Sequence, residues 1–230
     1  MNGSLAARGA GEAAGTALLV GLGTGTIVVA AHLGGIPQGA MAVAWFGAVL
    51  LPILAFVRTT GAHLNPVVTL ALAVSGRIAW REAPAYLAGQ FVGALASSGL
   101  LLAVGGGVGR LGATVPTGSL LRAFLGETAF TALLVAAVFA LADFGEGPKR
   151  WRLLLPPAAV GLSTFVIGPW SGSSLNPART LAPAVLSGTY ADLWLYLIAV
   201  PLGGLAVALL WRPTAVDRLD RGPGRTDASR

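Results

Sequence analysis

The sequence predicts an all-α membrane protein with six transmembrane helices plus two re-entrant half-helices in an inverted repeat. Three observations support this: the chain is very apolar, six stretches are long enough to span a bilayer, and its two halves resemble each other. Of the 230 residues, 55% are hydrophobic and 10% are charged, and the mean hydropathy is +0.76. Because soluble domains carry about 25% charged residues, this composition excludes an ordinary soluble domain.

Six apolar stretches have the length that crosses a hydrocarbon core, about 20 residues for about 30 Å. In chain order they are residues 12–31, 39–57, 83–104, 123–142, 153–170 and 190–211. Two further apolar segments, 65–74 and 176–186, are too short to span, and each begins at an Asn-Pro pair. Proline at the first helical position loses no hydrogen bond, so we predict a half-helix after each pair.

An internal repeat determines how these elements are arranged. Residues 11–20 and 126–135 match at eight of ten positions with an offset of 115 residues, and 61–66 resembles 172–177 with an offset of 111. The chain is therefore predicted to be one channel domain, residues 1–230, with repeats over about 8–105 and 120–212. Three spans separate equivalent points, so the second copy enters the membrane from the opposite face.

The basic residues indicate how the chain is oriented. Most of them lie before the first span, in the 58–64 connection, between the first half-helix and the third span, in the 143–152 loop and after the last span; Arg110, Arg122 and Arg179 lie elsewhere. Cytoplasmic loops carry an excess of Lys and Arg, so we expect a multi-pass protein of the plasma membrane with both termini in the cytoplasm. Residues 213–230 mix Asp and Arg, and we expect a disordered cytoplasmic tail there.

Residues that other function classes require are scarce. The chain has no cysteine, and its two histidines, His32 and His63, are far apart in the sequence. No arrangement of nucleophile and base suggests a hydrolase, so we expect no enzyme activity, no metal and no cofactor. The net charge of +6 arises from basic residues between apolar stretches and not from a basic patch, so nucleic-acid binding is not expected.

The two half-helices imply a cavity. Irregular backbone at membrane depth is tolerated only where protein buries it or water lines it. If the helix N-termini meet near the midplane, each presents roughly half a positive charge there, and the amides of Asn65 and Asn176 add two hydrogen-bond donors. A cation is repelled, whereas a neutral molecule with hydroxyl groups gains partners. One Asn-Pro pair alone is typical of a helix cap; two at equivalent positions favour a pore.

The sequence resembles the major intrinsic protein family, the aquaporins and glycerol facilitators, through two segments. Residues 61–69 read Gly-Ala-His-Leu-Asn-Pro-Val-Val-Thr, and residues 172–180 read Gly-Ser-Ser-Leu-Asn-Pro-Ala-Arg-Thr. Further residues similar to the family's are Glu12, Tyr86, Gln90, Glu127 and Pro183. The resemblance covers nearly the whole chain. It implies an aquaporin-like fold and a homotetramer with one pore in each subunit, in contact with the lipid bilayer.

The resemblance places the dual Asn-Pro region in the substrate pore. Its six residues are Asn65, Pro66, Val67, Asn176, Pro177 and Ala178. The first motif departs from the family's usual Asn-Pro-Ala, because Val67 stands in the place of alanine. We expect its added bulk to shift the approach of the two half-helices slightly without removing the Asn65 donor.

The resemblance also implies a selectivity filter at the outer end of the pore. Arg179 lies three residues after Asn176, and a charge within the membrane is a functional-site candidate. The positions expected to face it, carried over by spacing without gaps, are Trp45, Thr164 and Ser173. Taken alone, Trp45 is also typical of packing or of the aromatic belt at the membrane interface.

Three further residues are expected to support the re-entrant loops. Glu12 and Glu127 stand at equivalent positions of the two repeats, and we expect them to accept hydrogen bonds from loop N–H groups rather than to relay protons. His63 lies just before Asn65. Bracing of the loop and gating of the pore remain equally open roles for it.

The predicted ring bears on the solute. A small hydroxyl at Thr164 is expected to leave the ring wider than in strict water channels. A tryptophan at position 45 is similar to the residue found there in glycerol facilitators, whereas Ser173 and Thr180 are similar to the residues of aquaporins. We predict a passive channel for water and small uncharged solutes that excludes protons and ions, with glycerol, urea, hydrogen peroxide and undissociated metalloid acids as candidates. The alternative is a facilitator selective for glycerol or metalloid acids with low water flux. A secondary transporter is the more remote alternative.

Overall fold

The computed structural model describes residues 4–143 and 150–211, and this part of the chain forms eight α-helices. They are α1 (Leu5–His32), α2 (Gln38–Phe56), α3 (Pro66–Val74), α4 (Ala83–Gly105), α5 (Leu120–Asp143), α6 (Leu155–Ser171), α7 (Pro177–Ser187) and α8 (Leu193–Leu210). Short turns at Val108–Gly112 and Arg150–Leu154 precede α5 and α6. The predicted tail, 213–230, and residues 144–149 of the predicted 143–152 loop lie outside the described residues.

Six helical segments are long and apolar enough to cross a membrane: α1, α2, α4, α5, α8 and Trp151–Ser171, which comprises α6 and most of the turn before it. The six predicted spans are therefore confirmed, with shifted ends. The largest shift is in α1, which begins at Leu5 and not at residue 12. Ser4 caps this helix, since its hydroxyl accepts a hydrogen bond from the Ala7 N–H. One turn further, Arg8 forms an ion pair of 3.0 Å with Glu82, which precedes α4.

The half-helices α3 and α7 have 9 and 11 residues. At 1.5 Å per residue they reach about 14 and 16 Å, half of a hydrocarbon core. The loops that precede them are shaped alike, because Leu64 and Leu175 both adopt a left-handed conformation, with φ of 55° and 54°. Both loops therefore bend in the same way before a proline at the first helical position, as the repeat predicts.

Close helix contacts at glycines hold each half together. A Cβ atom at Gly93 of α4 would lie 2.1 Å from the Ala13 carbonyl oxygen of α1. In the second half, a Cβ atom at Gly203 of α8 would lie 2.1 Å from the Thr128 carbonyl oxygen of α5. Small residues let transmembrane helices approach this closely. The pairs α1–α4 and α5–α8 are thus equivalent units, one in each repeat.

Many large apolar side chains of the helices lie on the outer surface of the protein, and others are buried in its interior. Val104 and Leu210, for example, are exposed, as expected where a span faces lipid. The interior contains fully buried polar side chains, among them Glu12, Gln90 and Glu127. Buried polar groups need hydrogen-bond partners, and these residues lie where the half-helices enter the bundle.

We expect the Gly93→Ala variant to be less stable than the parent chain, because its methyl group collides with the α1 backbone. Such overpacking costs about 1–3 kcal/mol. The measurement is the free energy of unfolding of the purified protein in detergent. Gly99→Ala in the same helix is the matched control, since its Cβ atom meets only Leu186 Cδ1 at 4.0 Å. Equal stability of the two variants would contradict the close helix contact.

Candidate functional site

A cavity of about 860 Å³ lies between the two halves of the helix bundle. The ends of both re-entrant loops line it at the Asn-Pro motifs, and so do Trp45, Arg179 and three further arginines. The lining residues that matter below are Arg58, Arg77, Arg152, Leu64, Asn65, Leu175, Asn176, Trp45 and Arg179. The cavity therefore connects both predicted motifs with part of the predicted filter.

Asn65 and Asn176 each cap a half-helix and also contact the opposite loop. The Oδ1 atom of Asn65 accepts a hydrogen bond of 2.9 Å from the Val67 N–H, and its Nδ2 donates one of 2.7 Å to the Leu175 carbonyl. Asn176 repeats the arrangement: its Oδ1 accepts from the Ala178 N–H at 3.0 Å, and its Nδ2 donates to the Leu64 carbonyl at 2.8 Å. The two Nδ2 bonds join the halves, while each Oδ1 bond caps a helix of its own half.

Each asparagine amide retains a further donor. A side-chain amide carries two N–H groups, and the structure gives each Nδ2 one acceptor among the described residues. Since both residues line the cavity, a second N–H is available there to an oxygen atom of a solute. The helix-cap interpretation and the pore interpretation are thus compatible, because they use different atoms of the same side chain.

The structure places Val67 against α8. Its side chain is 1% exposed and does not line the cavity, and a Cβ atom at Gly204 would lie 2.2 Å from Val67 Cγ1. The bulk of Val67 was expected to fall where the half-helices abut. It is instead accommodated by a glycine on α8, while Ala178 at the equivalent position of α7 is also fully buried.

Trp45 and Arg179 lie together in the wall of the cavity. The guanidinium carbon of Arg179 is 4.8 Å from the centre of a Trp45 ring, and Nη1 donates a hydrogen bond of 2.7 Å to the Gly112 carbonyl. The Arg179 side chain is buried, and its Nε has no partner among the described residues. Gly112, which belongs to the turn before α5, has no signal in the sequence that identifies it as a partner of Arg179.

The other two predicted filter residues are buried nearby but do not line this cavity. The hydroxyl of Ser173 lies 2.8 Å from that of Ser163 in α6. The Thr164 carbonyl accepts a hydrogen bond of 2.5 Å from Gln38 Nε2. The structure therefore brings Trp45 and Arg179 to the cavity wall, whereas Ser173 is bonded to a neighbouring helix. Sequence reasoning missed both Ser163 and Gln38.

Glu12 holds the first re-entrant loop. Its Oε1 accepts hydrogen bonds from the Thr60 hydroxyl at 2.7 Å and the His63 N–H at 3.0 Å. Its Oε2 accepts from the Leu64 N–H and from Gln90 Nε2, both at 2.7 Å. The carboxylate is fully buried, so these four donors take the place of water.

Glu127 holds the second loop in the same way. Its Oε1 accepts hydrogen bonds from the Ser171 hydroxyl at 2.8 Å and the Ser174 N–H at 2.9 Å, and its Oε2 accepts from the Leu175 N–H at 3.1 Å. Ser171 follows Thr60 by 111 residues, the offset of the Asn-Pro motifs. Sequence reasoning missed this hydroxyl pair, although the repeat carries the signal.

His63 contacts both the loop and the cavity. Its Nδ1 lies 3.2 Å from the Thr69 hydroxyl, its ring centre is 4.6 Å from that of Tyr86, and the residue lines the cavity. At the equivalent place in the second half, the Ser174 hydroxyl is hydrogen-bonded to that of Thr180. The contact of residue 63 with Thr69 thus has an equivalent in the second repeat.

Three arginines besides Arg179 line the cavity. They are Arg58, Arg77 and Arg152, and Arg77 is held by Asp143, whose Oδ1 accepts from Nε at 2.9 Å. The Arg77 guanidinium also lies 3.9 Å from the ring centre of Phe139. Among residues 4–143 and 150–211, no group of three or more acidic, histidine or cysteine side chains is arranged to hold a metal ion.

We expect Glu127→Ala to lower both the stability and the solute flux, because two buried N–H groups and one hydroxyl lose their acceptor. Each unpaired buried donor costs about 1–3 kcal/mol. Unfolding in detergent and osmotic water flux in proteoliposomes are the measurements. Glu82→Ala, which removes a partly exposed ion pair with Arg8, is the control and is expected to change stability by less than about 1 kcal/mol. A Glu127→Ala variant with parental stability and flux would be inconsistent with this support of the loop.

Comparisons with known proteins agree with this geometry. The family described as Major intrinsic protein matches residues 4–211. Aquaporin NIP1-1 of Zea mays is 36% identical over 199 residues, which cover 86% of this chain and 71% of that protein. Aquaporin NIP1-3 of Oryza sativa subsp. japonica is 37% identical over 202 residues, which cover 87% of this chain and 70% of that protein.

A solved structure supports the fold. The aquaglyceroporin from Plasmodium falciparum superposes with a TM-score of 0.79 at 24% identity, covering 95% of this chain and 100% of that one. The predicted arrangement of six spans and two half-helices is thereby confirmed, as is the family resemblance. The chain belongs to the major intrinsic protein family, whose members are membrane channels for water and small solutes and not enzymes.

Proposed function

We propose that this protein is a passive channel for water and small uncharged solutes that excludes protons and ions. The observation that carries the proposal is the cavity in which the amides of Asn65 and Asn176 stand at the facing starts of two half-helices. A passing molecule with an oxygen atom finds donors from both halves at this point. Nothing in the arrangement requires the two halves to move, which separates a channel from the alternative of a secondary transporter.

Exclusion of cations follows from the same geometry. The N-termini of α3 and α7 each carry roughly half a positive charge, and both begin beside the cavity-lining asparagines. A hydronium ion is repelled there, and a water molecule that accepts hydrogen bonds from both amides cannot at the same time continue a proton-conducting chain through that oxygen. In the wall of the cavity, the buried guanidinium of Arg179 adds a full positive charge.

The proposed filter comprises Trp45, Thr164, Ser173 and Arg179. Its character comes mainly from Trp45, which offers an apolar face, and Arg179, whose guanidinium carries a positive charge and several N–H donors. Such a pair suits a solute with a carbon backbone and hydroxyl groups. The Ser173 hydroxyl lies 2.8 Å from that of Ser163, and this bond takes up part of its hydrogen-bonding capacity. Glycerol, urea, hydrogen peroxide and undissociated metalloid acids are the candidate solutes besides water.

A facilitator selective for glycerol or metalloid acids, with low water flux, is the second candidate. The apolar wall of the cavity favours it: Val49, Ile53, Leu134, Val138 and Val160 all line the cavity. An apolar wall gives single-file water few hydrogen bonds between the mouth and the asparagines, whereas it accommodates the carbon atoms of a polyol. The ratio of glycerol flux to water flux distinguishes the two candidates.

We also propose a homotetramer in the plasma membrane, with both termini in the cytoplasm. The family resemblance supports the tetramer. Arg58, Arg77 and Arg152 line the cavity and lie after α2, after α3 and just before α6, and the positive-inside rule assigns these connections to the cytoplasm. Trp45 and Arg179 then stand at the outer end of the pore.

Proteoliposomes that contain the purified protein are expected to shrink faster than protein-free vesicles in a hyperosmotic gradient, and to re-swell faster in glycerol and in urea. The measurement is light scattering after rapid mixing, with each solute tested separately. A ribitol gradient tests the upper limit of solute size. Water and solute fluxes equal to the lipid background would refute the channel, and solute flux without water flux would establish the second candidate.

Arg179→Val is expected to admit protons, because it removes the positive charge at the filter. At about 4 Å, like charges repel by about 1–4 kcal/mol between an aqueous and a protein-like dielectric, and 1.4 kcal/mol corresponds to about tenfold in rate. Proton leak is measured with a pH-sensitive dye inside proteoliposomes under a membrane potential. Arg122→Val is the matched control, because Arg122 is exposed, contacts Trp170 and does not line the cavity. A leak that is equal in both variants argues against this role for Arg179.

A further inference from the structure

We propose that Gly204 of α8 is a positioning residue for the Asn65 donor. It provides the space that Val67 requires, and so it sets where the half-helix α3 begins. Neither Gly204 nor Val67 lines the cavity, so their effect on conduction passes through Asn65. The inference deepens the proposed function and rests on it, because it concerns one of the two pore donors.

The contact between the two positions is very close. A Cβ atom added at Gly204 would lie 2.2 Å from Val67 Cγ1 and 3.3 Å from Val135 Cγ2. Ordinary contacts of a Cβ atom begin at 3.4 Å, so an alanine at this position and Val67 cannot both keep their places. Val67 has little freedom to rotate away, since a β-branched side chain in a helix has one strongly preferred rotamer and this one is 1% exposed.

Displacement of Val67 acts directly on Asn65. The Val67 N–H is the donor that Asn65 Oδ1 accepts in capping α3, at 2.9 Å. The same asparagine donates through Nδ2 to the Leu175 carbonyl of the opposite loop, at 2.7 Å. A movement of the first turn of α3 therefore changes the cap, the bond between the halves and the direction of the free amide N–H together. Functional groups need placement within about 0.5 Å.

The repeat-equivalent positions indicate that the space at Gly204 is matched to the side chain at position 67. Gly93 and Gly203 are equivalent, because their Cβ atoms would each lie 2.1 Å from the carbonyl oxygens of Ala13 and Thr128, which are themselves related by the offset of 115 residues. The next residues, Ala94 and Gly204, are therefore equivalent as well.

The half-helix residues Val67 and Ala178 are related by the offset of 111. Val67 of the first half thus meets Gly204 of the second, whereas the equivalent pair is Ala178 of the second half and Ala94 of the first. All four residues are buried. The larger residue on the half-helix coincides with the smaller one on the span, so the departure from Asn-Pro-Ala is compensated across the contact.

The test is a double-substitution cycle with Gly204→Ala, Val67→Ala and the two combined. Gly204→Ala is expected to lower water flux per channel by about two- to tenfold, the equivalent of losing one hydrogen bond in the path. The combined variant, which reproduces the equivalent pair of alanines at positions 94 and 178, is expected to regain most of the parental flux. Gly99→Ala is the control, since its Cβ atom meets only Leu186 Cδ1 at 4.0 Å.

Hydrogen–deuterium exchange of residues 61–69 in the same variants provides a readout that does not depend on transport. Faster exchange there in Gly204→Ala, reversed in the combined variant and absent in Gly99→Ala, supports positioning. Parental exchange and flux in Gly204→Ala would overturn the inference, and so would a loss that Val67→Ala fails to reverse. If the parental chain itself conducts nothing, the proposed function fails, and the exchange data still decide whether Gly204 positions this loop.

Discussion

Backbone polar groups inside a bilayer need partners, and the two re-entrant loops bring unpaired groups to membrane depth. The buried carboxylates of Glu12 and Glu127 meet this constraint, because each accepts hydrogen bonds from two consecutive loop N–H groups and from a hydroxyl at the loop start. The loops can then leave regular structure, and their ends can line a cavity. Both halves use the same device, so the pore depends on a pair of carboxylates that do not line it.

Asparagine suits the centre of such a pore because its side chain has an acceptor and two donors. In Asn65 and Asn176 the oxygen caps a half-helix and one N–H binds a carbonyl of the opposite loop, which leaves one N–H for the cavity. Aspartate has no donor, and serine has only one. The side chain that specifies the start of each half-helix therefore also joins the halves and presents a donor to a solute.

Sequence reasoning succeeded where the property was local. The six spans and both half-helices were predicted, since apolar length and an Asn-Pro start are properties of neighbouring residues. The filter stays a prediction: Trp45 and Arg179 line the cavity, whereas the Ser173 hydroxyl is bonded to that of Ser163. Spacing along a helix places a residue near the pore without showing which neighbour its polar atom will bind.

By itself the sequence determined the membrane class, the inverted repeat and the residues at the two Asn-Pro motifs. Hydropathy, duplication and helix capping can each be recognised from short segments of neighbouring residues. Only the tertiary structure decided that the Gly112 carbonyl holds Arg179 and that Gly204 accommodates Val67. These pairs are 67 and 137 residues apart in the chain, and their contacts depend on how closely whole helices approach. A difference of about 1 Å, less than one methyl group, separates a fit from a collision in a close-packed interior.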